Sequence, residues 1–498
     1  MLRKIRIILA CIFFAGITLL FLDFTGASHA WLGWMAKVQF LPAVLSLNLG
    51  IVAVLTIMTL LLGRVYCSVI CPLGVMQDII SWIHGRTAKK NRFRFQYKKE
   101  NNVLRYLFMA VFFMTVLFSG SIGLAAIFAP YSAYGRIASN LFAPVYQFGN
   151  NILAWISERA GSYAFYSVDI WIKSGTTFAI AAATFILLGI IAWKHGRKWC
   201  NICPVGLLLG LVARFSLFAP VINTDKCRNC GLCGRQCKTS CINMKEHKID
   251  YDRCVACMDC LDACKEGAIR YVWRHGAQKN GNSAKENRPD QGRRAFMTSI
   301  VIAGTAATAK AQEMKVDGGL AEIARAEKPL RKTPLVPAGA VSLKNFSSHC
   351  TACQLCVSVC PNNVLRPSTS LETLMQPEMS YERGYCRPEC TKCSNACPAG
   401  AIRPVTREEK SSIQIGHAVV ILQNCVVNTD GVSCGNCARH CPAGAIRMVR
   451  KNPDDPNSVR IPTVNEERCI GCGACENLCP ARPFTAIYIE GHEVHKTV

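Results

Sequence analysis

Four long apolar runs mark the first part of the chain, roughly Ile5 to Leu22, Leu41 to Gly63, Leu107 to Ala129 and Thr176 to Trp193. Each approaches the ~20 residues that a helix needs to cross a bilayer. The pattern therefore predicts four transmembrane helices. Asp23 and Asn48 are the polar interruptions of note, read as a helix end and a tolerated interior amide.

Composition and charge sharpen this picture. The chain has 498 residues, 51% of them hydrophobic and 18% charged, with 57 Lys+Arg against 32 Asp+Glu for a net charge of +25. That length can bury several cores and excludes disorder as the main state. Splitting after Lys310 gives 36 basic against 14 acidic residues, or +22, in the first part, and 21 against 18, or +3, in the second. The excess sits in particular loops: Arg3, Lys4 and Arg6 before the first run, Arg86 to Arg105 after the second, and Lys194, Arg197 and Lys198 after the fourth. Positively charged short loops stay cytoplasmic, so both ends of the helical part are expected on that side. Lys89 to Lys99, with Phe93, Phe95 and Tyr97 interleaved, invites a nucleic-acid reading. The stretch joins two predicted spans, where the positive-inside bias and anionic lipid already account for it. No nucleic-acid partner is expected.

Thirty cysteines in a chain this long do not suit a small secreted disulfide scaffold. Their spacing suits iron-sulfur clusters. Cys227, Cys230, Cys233 and Cys237, then Cys254, Cys257, Cys260 and Cys264, both follow C-x-x-C-x-x-C-x-x-x-C. In that pattern three close thiolates hold one cube and the fourth crosses to its neighbour. Cys264 is thus expected with the first trio and Cys237 with the second, with Cys241 as an alternative to Cys237. Four further quartets follow: Cys350, Cys353, Cys356 and Cys360; Cys386, Cys390, Cys393 and Cys397; Cys425, Cys434, Cys437 and Cys441; and Cys469, Cys472, Cys475 and Cys479. The middle two depart from regular spacing at Cys386 and Cys425. Pro361, Pro398, Pro442 and Pro480 close the four, whereas Lys238 and Lys265 stand at the corresponding places of the first two. Six 4Fe-4S clusters are expected. Structural zinc also takes four thiolates, but six quartets that all end in C-x-x-C-x-x-x-C favour cubanes.

Cys67 and Cys71 in C-S-V-I-C-P-L-G, and Cys200 and Cys203 in C-N-I-C-P-V-G, stand apart. Each motif follows the cytoplasmic end of a predicted span. They are read either as four ligands of a further iron-sulfur centre at the membrane surface or as structural turns with free thiols. Cys11 is read as a packing residue. Asp23, Asp78 and His84 are the candidate proton acceptors by location, and no catalytic residue is assigned. The chain has no C-x-x-C-H for a c-type haem, and no convincing dinucleotide motif.

Between the two parts, His275 to Gly292 reads as a polar linker. Arg293-Arg294, the apolar run Phe296 to Ala309 and Ala309-Lys310-Ala311 have the layout of a twin-arginine export signal. The residues beyond it are then expected outside the cytoplasmic membrane.

Residues 1 to about 270, with their spans, C-P motifs and two quartets, resemble NapH-type membrane quinol dehydrogenases. Residues about 290 to 498, with the twin arginine and four quartets, resemble NapG-type periplasmic ferredoxins. The second C-P motif is one residue shorter than C-x-x-x-C-P. The resemblance implies oxidation of a membrane quinol, with menaquinol the expected one, and passage of electrons to a periplasmic reductase or cytochrome partner. It also implies interleaved quartets, with Cys350, Cys353 and Cys356 taking Cys479 and Cys386, Cys390 and Cys393 taking Cys441; sequential pairing is the alternative. The resulting fold class is α+β. A four-helix transmembrane unit (1–215) precedes a cytoplasmic two-cluster ferredoxin (220–272), a linker with the export-like segment (273–340) and a periplasmic four-cluster ferredoxin (341–498). Supplying electrons for maturation of a metal centre or cofactor is the alternative function, and redox sensing a third. The sequence offers no cofactor between the two ferredoxins, so quinol diffusion or a partner is expected to connect them.

Overall fold

The apolar runs fold as helices whose ends are set by a few polar or conformationally special residues. The computed structural model describes residues 1–87, 95–99, 101–118, 126–274 and 326–497. Helix α1 (Leu2–Leu22) ends at Asp23, whose carboxylate accepts from the backbone N–H groups of Thr25, Gly26 and Ser28. Helix α2 (Ala27–Lys37) folds back so that Met35 rests on Gly16, where a Cβ would lie 2.5 Å from the Met35 sulfur.

The second run is not one helix. Helix α3 (Phe40–Leu45) stops at a turn in which Leu47 takes φ +53°, and Asn48 then accepts from the Ile51 N–H at 3.2 Å to start α4 (Leu49–Leu62). The amide expected inside a span is an N-cap, filling one of the places a helix start leaves open. A short helix α5 (Val65–Val69) turns inward and α6 (Pro72–Thr87) leads out again. The remaining helices of this part are α7 (Asn102–Phe118), α8 (Pro130–Ile137), α9 (Ala143–Arg159), α10 (Gly175–His195), α11 (Lys198–Ile202) and α12 (Pro204–Ala213). Among the described residues, α1 and α10 are long and apolar enough to cross a membrane; the others are shorter.

Two ferredoxin units flank these helices. In the first, β1 (Phe218–Ile222) pairs antiparallel with β4 (Ile269–Trp273) and β2 (Ile242–Asn243) with β3 (Lys248–Ile249). In the second, β5 (Leu365–Pro367) pairs with β6 (Pro377–Met379), β7 (Ile413–Val420) with β10 (Ile487–Thr497), and β8 (Ile446–Arg450) with β9 (Arg460–Val464). The linker, Arg293-Arg294 and the apolar run Phe296 to Ala309 lie outside the described residues.

Four helices connect the same two places. Arg3, at the start of α1, pairs with Asp259 (2.8 Å) and Asp262 (3.1 Å) of the first unit. Beyond its other end, Thr25 accepts from Lys392 of the second unit at 3.1 Å. The Leu60 and Leu62 carbonyls at the end of α4 accept from Leu217 N–H and the Tyr271 hydroxyl, while Ser46, before its start, lies against Gly400. Arg105 on α7 pairs with Asp252, and Phe112 further along packs with Ala352 and Met375. Ahead of α10, Asp169 pairs with Arg383; past its end, Gly196 abuts the Lys238 carbonyl. The 21 residues of α1 separate the two units by about 30 Å.

Candidate iron-sulfur sites

The two C-P motifs converge. Cys67, Cys71, Cys200 and Cys203 line one pocket together with Tyr66, Gln77, Pro130 and Trp199. All four thiols are buried, at 5–7% exposure. Helices α5 and α11 carry the first cysteine of each motif into the interior of the helical part. The arrangement is nearly two-fold. Arg64 donates to the Cys200 carbonyl (2.7 Å) and Arg197 to the Cys67 carbonyl (2.8 Å), so each arginine stands three residues before its own motif and grips the other. Gly74 and Gly206 occupy matching places, where a Cβ would meet the Cys67 and Cys200 carbonyl oxygens at 2.3 and 2.5 Å.

Charge indicates what the pocket suits. Arg64 is fully buried, and its partners are the Asp252 and Cys200 carbonyls and the Cys67 sulfur, 3.7 Å away; its Nε has none. A buried cation without a counter-charge is costly, and thiolates around an iron-sulfur cluster would supply one.

In the first ferredoxin unit Cys257 and Cys260 lie near Cys237 and Cys241, and Cys254 lies beside Cys241. Burial first, and then Cys257 and Cys237, push the Cys260 thiol well above its ordinary range, and burial and Asp259 push Cys257 to about 12. Cys237 and Cys241 both reach this site, 3.4 Å apart, so the structure brings the spare thiol as close as the expected ligand. Cys233 lies within Coulomb reach of Cys227 and Cys230 in the other trio. Thiols raised in this way are protonated at neutral pH, and iron would displace those protons.

The second unit pairs its quartets sequentially. Cys350, Cys353, Cys356 and Cys397 line one pocket, and Cys360, Cys386, Cys390 and Cys393 line the next. Cys437 neighbours Cys425, Cys434 and Cys479, and Cys475 neighbours Cys441, Cys469 and Cys472. The first-with-fourth interleaving implied by resemblance is not what the chain adopts, because each short αβ half closes on the quartet next to it in sequence. Cys386 and Cys425, irregular in spacing, join their groups. Among the described residues no three His, Cys, Asp or Glu side chains are gathered as tightly as a single metal ion needs. A cubane spreads its thiolates over separate irons, so it does not require so tight a group.

Cations again mark these sites. Arg136 is fully buried, donates to the Ala126 and Ile127 carbonyls, and has Cys353 as its electrostatic partner. Lys410, 7% exposed, has its ammonium 3.3 Å from the Cys386 sulfur and bonds the Arg387 and Cys390 carbonyls. Lys410→Met is expected to lower the midpoint potential of the adjacent cluster by on the order of 100 mV, the effect of a unit charge a few ångströms away at an effective dielectric near 20. Redox titration followed by EPR checks this, and an unchanged potential would show that solvent screens the ammonium.

None of the candidate proton acceptors has the setting of a base. Burial opposes charge on Asp78, but Arg197, Lys238 and Arg6 outweigh burial and hold its carboxyl far below the usual range. Asp23 is committed to its turn, and His84 stands edge-on to Trp193 with ring centroids 4.4 Å apart. Reading the sequence missed Arg64, Arg197, Arg136 and Lys410. The first two had a signal: R-V-Y-C-S-V-I-C-P-L-G and R-K-W-C-N-I-C-P-V-G share arginine, cysteine, proline and glycine in order.

Comparison with known proteins agrees with these sites. Residues 46–91 and 175–221 match a family model described as a 4Fe-4S binding domain, and between them contain all four C-P cysteines. Residues 349–401 and 431–482 match a 4Fe-4S dicluster domain, and 247–270 a further 4Fe-4S binding domain. An uncharacterized protein of Methanocaldococcus jannaschii, MJ0749, is 27% identical over 217 residues, 43% of this chain and 67% of that protein. The methylamine utilization ferredoxin-type protein MauM of Methylobacillus flagellatus is 32% identical over 151 residues, 30% of this chain and 64% of its own length. The ferredoxin-type protein NapG of Escherichia coli K12 is 30% identical over 211 residues, 39% of this chain and 84% of NapG. No solved structure matches the chain. With clustered cysteine sites in both units and most of NapG covered, the chain belongs to the NapG family of ferredoxin-type proteins, iron-sulfur polyferredoxins of electron transfer.

Proposed function

We propose that the chain is a membrane-bound electron carrier that oxidises a quinol and delivers the electrons to a periplasmic reductase or cytochrome. Six thiol groups in the ferredoxin units would each hold a 4Fe-4S cluster, and Cys67, Cys71, Cys200 and Cys203 a seventh. These clusters supply one-electron chemistry with little rearrangement. The observation that carries the reading is that thiols distant in sequence meet in groups, beside buried cations such as Arg64 and Lys410.

Membrane placement draws on the apolar exterior of the helices. Ile8 and Ile12 on α1, Ile57 on α4, Val111 on α7 and Leu187 on α10 are each more than half exposed, forming surface suited to lipid. The basic loops support a cytoplasmic 218–273 unit, and the two units contact opposite ends of α1. The second unit would then face the periplasm of an inner membrane. Adding a menaquinol analogue to the purified protein is expected to reduce the clusters, seen as visible bleaching and new EPR signals. Reduction by dithionite but not by quinol would remove the quinol step and favour electron supply for maturation of a metal centre or cofactor.

A further inference from the structure

We infer that electrons cross between the two ferredoxin units inside this one chain, over a buried bridge made by Arg197, the four C-P thiols, Tyr66 and Tyr131. The inference rests on the thiol groups holding clusters, as proposed above, and it removes the need for quinol diffusion to connect the units.

The bridge is continuous. Tyr66, Cys67, Cys71, Tyr131, Cys200, Cys203 and Cys353 belong to a single buried core, against which Cys257 packs. On the side of the first unit, Arg197 bonds the Cys67 carbonyl and Asp78, and Lys238, which follows Cys237, bonds Asp78 as well. Arg197 lies within Coulomb reach of both Cys200 and Cys257, so one side chain joins the C-P pocket to the trio beyond it. On the other side, Tyr66 lines the C-P pocket together with Pro130, and Tyr131 follows directly in α8. Tyr131 has Tyr66, Cys353 and Cys397 as electrostatic neighbours. The seat is close: Gly135, one turn along α8, has no room for a Cβ, which would lie 2.4 Å from the Cys353 carbonyl oxygen. Asn140 donates to Gln354 at 2.8 Å in the same buried seam.

Beyond Cys353 the order continues through the second unit. Cys356 neighbours Cys393, and the Cys386 N–H donates to the Cys472 carbonyl at 2.9 Å. The four C-P thiols and Cys353 are buried, whereas Cys230 in the first unit is exposed and Cys434 and Cys441 in the second are partly exposed. An enclosed centre between units with accessible thiols suits a conductor that meets its partners in the two units. Each electron taken from a one-electron donor at one end is matched by one given to a one-electron acceptor at the other, with no bond made or broken in the chain.

The test uses the full chain in quinone-free liposomes that enclose ferricyanide, with dithionite outside and a potassium ionophore to balance charge. Because the path runs both ways, orientation in the liposome does not matter. Bleaching of ferricyanide is expected to exceed that in protein-free liposomes by at least about tenfold. Tyr131→Phe, which loses only a hydroxyl that has no partner, should keep the rate, and Tyr131→Leu should slow it at equal iron content. In the parent, EPR of the reduced protein should show spin coupling between the cluster at Cys257 and the C-P centre, lost in Cys71→Ser/Cys203→Ser. Full iron content with no bleaching until menaquinone is added would overturn the bridge. Missing iron would instead overturn the proposed function on which it stands.

Discussion

Replacing Cys67 and Cys200 together by serine is expected to lower bound iron from about 28 to about 24 atoms per chain, one cubane's worth. Cys11→Ser, at an exposed position on α1, should change nothing. Both replaced residues sit at the crossing of the two motifs, where Arg64 and Arg197 each reach over to the other motif's carbonyl. Arg64→Met probes the same centre through charge. Arg64 is 0% exposed and, among the described residues, has the Cys67 sulfur as its one side-chain hydrogen-bond partner, so a cluster there would lose a compensating charge. Removing one member of a buried charge pair costs about 3–5 kcal/mol, enough to release the iron or to shift its potential strongly. Iron and sulfide analysis with Mössbauer spectroscopy decides between outcomes. About 24 iron atoms in the parent, unchanged in Cys67→Ser/Cys200→Ser, would make the C-P motifs structural turns.

Much of this was legible before folding. Cysteine spacing is a local signal, because three thiolates within seven residues fix one cluster by themselves, and the four trios ending at Cys233, Cys260, Cys356 and Cys475 needed no tertiary knowledge. The fourth ligand is set by long-range packing. Spacing therefore left Cys397 and Cys479 ambiguous, and two-strand pairings such as Leu365 with Met379 resolved them by closing each half separately. Asn48 misled because an apolar run is scored by composition, while a cap depends on backbone direction. The buried arginines were hidden for a related reason: Arg197 between Lys194 and Lys198, and Arg64 at the end of an apolar run, look like positive-inside residues, and only the fold turns them toward the C-P motifs.

Removing iron is expected to unfold both ferredoxin units while leaving the helices that join them. In the first unit four of the seven core residues are cysteines, with Ile242, Ile249 and Ile269 completing the set. Sheets of two strands do not stand alone, and the strands there span only two to five residues. Without metal the raised thiols return to their neutral form, and Lys410 and Arg136 keep their charge in sites that no longer offset it. Those penalties, a few kcal/mol each, approach the 5–15 kcal/mol that a domain has in total. Chelation under mild oxidation, followed by hydrogen exchange in detergent, should therefore show protection lost across 218–273 and 335–497 and kept in α1, α4 and α10. The seam at Gly135 and Gln354 should open with the second unit, since its partners belong to the Cys353 loop. If protection survived in the iron-free protein, the cysteine sites would be preformed by the polypeptide, and the buried cations would have to be satisfied by water or by carbonyls alone.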